Sequence, residues 1–89
     1  MTIKYQKNFQ KHLEQRVFPY KNLKAKFEQR LQAFLKNPHN PNPLLRDHPL
    51  TGSLKTFRSF SVTGDIRVIY RIEHDTIRFY DVGSHNQVY

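Results

Sequence analysis

Apolar residues fall on two different periods along this 89-residue chain, and the change of period divides it. Phe9, Leu13 and Val17 recur every four positions among Lys, Gln and Glu, which is the spacing of one face of an α-helix. Pro19 and the Tyr20-Lys21-Asn22 that follow interrupt the pattern, with Asn22 read as the cap of a second helix. Leu23, Phe27, Leu31, Phe34 and Leu35 then form a second stripe, opposed by Lys24, Lys26, Glu28, Gln29, Arg30 and Gln32. Neither stripe can be buried alone, so a helical hairpin resting on a sheet is expected. Aromatic residues at this spacing read as core rather than as a ligand box.

Beyond the second helix the period shortens. Asn37 to Pro43 carries Pro38, Pro41 and Pro43, which stop the helix because proline lacks a backbone donor and restricts its predecessor. That stretch is a connector within one domain, 1–89, and no internal repeat is visible. Gly52 marks a turn, Lys55–Val62 reads as a strand, and Thr63-Gly64 as the next turn. Asp65–Ile72 and Thr76–Val82 are rich in β-branched and aromatic residues around Glu73-His74-Asp75, the pattern of an antiparallel hairpin. Alternation sends Val68, Tyr70 and Ile72 to one face and Arg67, Ile69 and Arg71 to the other. One face can then meet the core while the other offers guanidinium to an anion. Thr2–Tyr5 also alternates and could add an N-terminal strand. The expected class is α+β: an N-terminal helical hairpin packed on a small antiparallel sheet, a three-stranded meander with one possible extra strand.

Composition narrows the picture. Apolar residues make up 37% of the chain and cysteine is absent, so neither disulfides nor a cysteine zinc site can hold it. No apolar run approaches a membrane span and no secretory leader pattern opens the chain, so the expectation is a soluble, cytoplasmic protein with no membrane partner. The net charge of +8 is unevenly spread: residues 1–45 hold nine Lys or Arg against two Glu, while residues 46–89 hold six against five acids. A basic N-terminal half points to a polyanion, nucleic acid before membrane, and is also what a solvated lysine face looks like.

Asp47-His48-Pro49-Leu50-Thr51-Gly52, then Phe57-Arg58, Asp65, Arg67-Val68-Ile69-Tyr70, Gly83-Ser84-His85 and the terminal aromatic Tyr89 together resemble the RelE/ParE toxin superfamily, and within it the YafQ branch. The resemblance covers essentially the whole chain and rests on the ordered set, since no single motif decides it. It implies the toxin of a type II toxin–antitoxin pair: a ribosome-dependent endoribonuclease that enters the decoding site and cuts mRNA without a metal or other cofactor. Its implied partners are a cognate antitoxin, small, acidic and DNA-binding, together with the ribosome and mRNA. By position, His48 takes the place of the histidine of the Asp-His-Pro-Leu motif, Asp65 that of the branch's active-site aspartate, and His85 that of the histidine in the Gly-Thr-His-type ending. Arg67 matches the arginine that precedes the Val-Ile-Tyr-type strand in RelE-like members, and Tyr89 the C-terminal aromatic. Two positions depart from the branch: Ser61 stands where a histidine is usual, and Ile66 where a tryptophan is usual. The first departure removes one group able to move a proton, for which the Arg67 cation could compensate.

The chemistry to be served is attack of a ribose 2′-hydroxyl on the adjacent phosphorus. It needs a base for the 2′ proton, a cation for the phosphorane oxygens and an acid for the leaving 5′ oxygen. Histidine can fill either proton role and arginine can grip two phosphate oxygens. His85 is expected as the acid, His48 or Asp65 as the base, and Arg67 on the scissile phosphate. Tyr89 is expected to stack on a base or bond the phosphate. Arg58 and Lys55 are expected as substrate-binding cations, Arg58 provided that the hairpin register sets it beside Arg67. Each has a plainer reading: His48 and Asp65 suit turns, and strand arginines suit a solvated face. His12, His39 and His74 read as surface. No histidine pair at helical spacing has a carboxylate partner, so no metal site is expected. Two other readings compete: a ParE-like gyrase inhibitor that needs no proton shuttle, and a catalytically silent RNA- or protein-binding member of the fold.

Overall fold

In the computed structural model, which describes residues 1–89, the chain runs β1 (Thr2–Tyr5), α1 (Lys7–Arg16), α2 (Lys21–Lys36), β2 (His48–Pro49), β3 (Arg58–Ser61), β4 (Ile66–Glu73), β5 (Thr76–Ser84) and α3 (His85–Val88). The hairpin of β4 and β5 is the centre of a five-stranded sheet ordered β1-β5-β4-β3-β2. Its turn is made by His74 and Asp75, with His74 in the left-handed region at φ 53°. The meander β3-β4-β5 is antiparallel as expected, and the sheet is wider than the meander at both edges. β1 pairs with β5 in parallel, Thr2 opposite Thr76 and Tyr5 opposite Phe79. β2 is a two-residue strand, His48 opposite Ser59 and Pro49 opposite Arg58, in a stretch whose sequence suggested only a turn.

Local details depart from the expected boundaries for physical reasons. α2 starts at Lys21, with Tyr20 at the N-cap position, so Asn22 lies inside the helix and caps nothing. The strand expected over 55–62 keeps only Arg58–Ser61, because a 3-10 turn at Gly52–Leu54 carries the chain through Lys55 and Thr56 before it extends. A bulge between Ile69 and Tyr70 sets Ile69 opposite Asp81 and Tyr70 opposite Phe79, leaving Tyr80 with no partner across the ladder.

The two long helices cover one face of the sheet. Phe9, Val17, Phe27 and Phe34 meet Phe60, Val68, Tyr70, Ile77, Phe79 and Val82 in one buried cluster. Tyr5 extends it to the sheet edge, its ring 5.8 Å from that of Phe9 and 5.4 Å from that of Phe79. No helix is long and apolar enough to cross a membrane. The opposite face carries Arg67, Ile69 and Arg71 as the alternation requires, with Ser59 and Ser61 as the cross-strand partners of Ile69 and Arg67. α3 folds back against β4 and β5. The chain end after it reaches Ser59, and Ile69 beside it is only 1% exposed.

Candidate functional site

The site is assembled where three backbone events meet: the short strand β2, the end of the β5 ladder, and the turn into α3. His48 lies on β2, and its Nδ1 is 3.0 Å from the carbonyl oxygen of Arg46. A carbonyl can only accept, so Nδ1 carries the proton and Nε2 is left for chemistry. The register that sets Ile66 opposite Ser84 places His85 at the sheet's end, as the first residue of α3. Gln87 closes this turn by accepting the Ser84 N–H at 2.7 Å. Gly83 makes room for it, since a Cβ there would come within 2.6 Å of Arg16 Nη1 and 2.7 Å of Gln87 Oε1.

One turn of helix brings Tyr89 back over His85, ring centroids 4.4 Å apart and edge to face. The Tyr89 and Ser59 hydroxyls lie 2.7 Å apart. His48, His85 and Tyr89 thereby line one open pocket of about 530 Å³, whose opposite wall is the stretch from Pro49 to Leu54. The three residues come from chain positions as far apart as 48 and 89, and the sheet gathers them.

Arg67 lies on the same open face, one step further along. Its Nη1 donates to Ser61 Oγ at 3.0 Å, and its Nε is buried without a partner. Ser59 and Ser61 are two residues apart on β3, so the hydroxyl that holds Tyr89 and the one that holds Arg67 are separated by roughly 7 Å of strand. Ser61, standing where the branch usually has a histidine, orients the guanidinium. Asp65 is an exposed turn residue whose N–H donates to Thr63 Oγ1 at 3.3 Å. It precedes Ile66, the partner of Ser84, and so stands at the same end of the sheet as His85 without lining the pocket. Lys55 is exposed and follows directly on the Gly52–Leu54 turn that walls the pocket.

Arg58 is not beside Arg67. The β3-β4 register sets Ser61 opposite Arg67 and sets Arg58 opposite Tyr70, three residues away and on the other face, so the shared phosphate grip of two guanidiniums does not form. Arg58 Nε instead donates to Asp47 Oδ1 at 2.6 Å, while the Tyr70 hydroxyl donates to Asp47 Oδ2. Asp47, with its side chain 5% exposed, thus joins two strands to the loop that carries His48. Nothing in the local sequence pattern marks this carboxylate as a joint between strands. Its signal was the placement directly before the candidate histidine.

Burial raises the Tyr70 pKa well above the ordinary tyrosine range, and the hydrogen bond and charge of Asp47 push it the same way. The neutral phenol is therefore the form that folding prefers. Stability from this group is complete below the unfolded tyrosine value of about 10 and is lost as pH rises beyond it, because the unfolded chain ionises first. Urea midpoints at pH 9 and pH 11 should show such a loss in the wild type, and Tyr70→Phe should remove that part of it.

Two of the remaining histidines are exposed as read, His39 and His74. His12 is not a free surface residue. It sits on α1 with Nδ1 2.5 Å from the Asp81 carboxylate, which lies beyond the stretch of β5 that β1 covers. No group of three or more His, Asp or Glu side chains converges in the molecule.

The sequence as a whole, residues 1–89, matches the family model described as the bacterial toxin of type II toxin–antitoxin systems, YafQ. No curated protein matches it. Among solved structures, YafQ from Escherichia coli strain BL21(DE3) superposes with a TM-score of 0.81 at 24% identity, over 98% of this chain and 96% of that one. The Escherichia coli DinJ–YafQ toxin–antitoxin complex gives 0.78 at 25%, over 98% and 94%. A metal-bound toxin from Helicobacter pylori gives 0.74 at 30% identity, over 100% and 99%. Agreement with the family model over the full length, together with the matching backbone, places this protein in the YafQ family of type II toxins.

Proposed function

We propose that this toxin is an endoribonuclease that cuts mRNA on the ribosome, and that the pocket shared by His48, His85 and Tyr89 is where it does so. The observation that carries the reading is the convergence of two imidazoles and a phenol, with the Arg67 guanidinium adjacent on the same face. Nε2 of His48 takes the proton from the 2′-hydroxyl, whose oxygen then bonds to phosphorus. Arg67 holds the non-bridging oxygens as negative charge builds. His85 gives a proton to the 5′ oxygen as the P–O5′ bond breaks, leaving a 2′,3′-cyclic phosphate and a 5′-hydroxyl. Tyr89, held by Ser59 and His85, stacks on a base or bonds the phosphate in this reading. Asp65 at the end of the sheet is the alternative base. Lys55 and Arg58 serve only as outlying cations, Arg58 being already paired.

A cognate antitoxin is the expected protein partner, as in the solved DinJ–YafQ complex. A surface of net charge +8 calls for acidic and apolar segments that order on contact. The test of the whole reading is primer extension on a message translated in an extract. The wild-type protein should generate new 5′ ends that bear hydroxyl groups, within the translated frame and only while ribosomes are moving. Intact message together with inhibited DNA supercoiling would replace this reading with a gyrase-directed one.

A further inference from the structure

A second cleft of about 410 Å³, lined in part by Ser61, opens between α2 and the β3-β4 turn. Lys26 and Arg30 reach it from α2, and Arg46 from the loop before β2. The facing wall is Ser61 to Gly64, and no carboxylate lines it. Arg46 sits in the left-handed region at φ 50°, ending the 3-10 turn Pro43–Leu45. Arg30 is fixed in place, its Nη1 donating to the Leu44 carbonyl at 3.3 Å, while its Nε is buried and has no partner. Three cations around one concavity, with a buried donor left unmatched, form a receptor for an anion with several oxygens.

Location says which anion. Ser61 belongs to both places: its hydroxyl holds Arg67, and the residue lines the cleft. β2 covers the outer edge of β3 only at Arg58 and Ser59, so at Ser61 that edge is free of strand pairing and a chain can pass round it from one face to the other. We propose that the Lys26-Arg30-Arg46 cleft binds a backbone phosphate of the same RNA strand whose scissile phosphate meets Arg67. The cleft thereby sets the direction in which that strand crosses the sheet. This rests on the nuclease reading for the identity of the strand, and on the geometry of the cleft alone for its taste for phosphodiesters.

The test is fluorescence anisotropy with a labelled single-stranded oligoribonucleotide of about ten 2′-O-methyl nucleotides, which binds but cannot be cut. Lys26→Gln with Arg46→Gln is compared with Lys7→Gln and Lys11→Gln, which remove the same charge from α1. The cleft pair should lose roughly tenfold in affinity at 0.1 M salt, and the slope of log affinity against log salt should flatten by roughly 1, with a much smaller change for the α1 pair. Arg46→Lys, which keeps the charge and barely perturbs the fold, should retain most of the binding. Equal losses in the two pairs would overturn the proposal by reducing the effect to net charge. Unchanged oligonucleotide binding with a loss confined to ribosomes or to antitoxin would overturn it too, assigning the cleft to ribosomal RNA or to an acidic protein segment. Because the probe cannot be cleaved, failure of message cleavage by the wild type would remove the nuclease reading and leave this binding result standing.

Discussion

Replacing His85 with alanine is expected to lower message cleavage on translating ribosomes by about 10²–10⁴-fold and to abolish growth arrest, with ribosome association retained. The size is that of losing the proposed proton-transfer group while the proposed phosphate cation stays in place. His85 does not carry the sheet: it is an exposed first residue of α3, and what it touches is the edge of Tyr89. The loss should therefore fall on the single-turnover rate at saturating ribosomes rather than on affinity. His39→Ala, on the exposed Asn37–Asn40 turn, should leave cleavage unchanged. A His85→Ala protein that still cuts within tenfold of wild type would take the acid role away from this imidazole.

Phe34→Ala is expected to cost about 3–5 kcal/mol of folding stability. Phe34 is fully buried on α2, and its ring lies 4.8 Å from Phe60, 4.6 Å from Tyr70 and 6.0 Å from Phe79, one neighbour from each of β3, β4 and β5. Truncation opens a cavity that those three rings cannot all close, since each is fixed by a different strand. For a domain of this size each kcal/mol corresponds to roughly 4–8 °C, so the thermal midpoint should drop by tens of degrees. The effect should reach the site as well, because Tyr70 packs edge-on against Phe34 and donates to Asp47 beside His48. Differential scanning calorimetry reads the first consequence. Cleavage at a temperature where the variant is still folded reads the second.

The helical stripes and the β4-β5 hairpin were legible because each is written in a local period, and Phe9, Phe27, Phe34, Val68 and Tyr70 all went to the core. The strand at Thr2–Tyr5 was visible, but its neighbour was not. Alternation says that a segment is extended and is silent on which edge it will join, so the parallel match to β5 had no local trace. β2 was missed because two residues carry no period; His48 and Pro49 are extended only because β3 offers them an edge. At the site, the family motif pointed to His48, His85 and Tyr89, which share a pocket. The condition attached to Arg58, a place beside Arg67, is not met; register is set across strands, and a single-residue difference in partner decides which face an arginine serves. His12 was misread for a similar reason: its carboxylate partner lies 69 residues further on.

The parallel edge formed by β1 ties an early-made segment to a late-made one. Thr2–Tyr5 is made long before Thr76–Phe79, the segment whose edge it joins. A half-made chain therefore holds its opening segment unpaired and has no Gly83-to-Tyr89 ending to supply the second imidazole. Closure of the β1 edge and the arrival of His85 at the pocket therefore both wait on the same segment, β5.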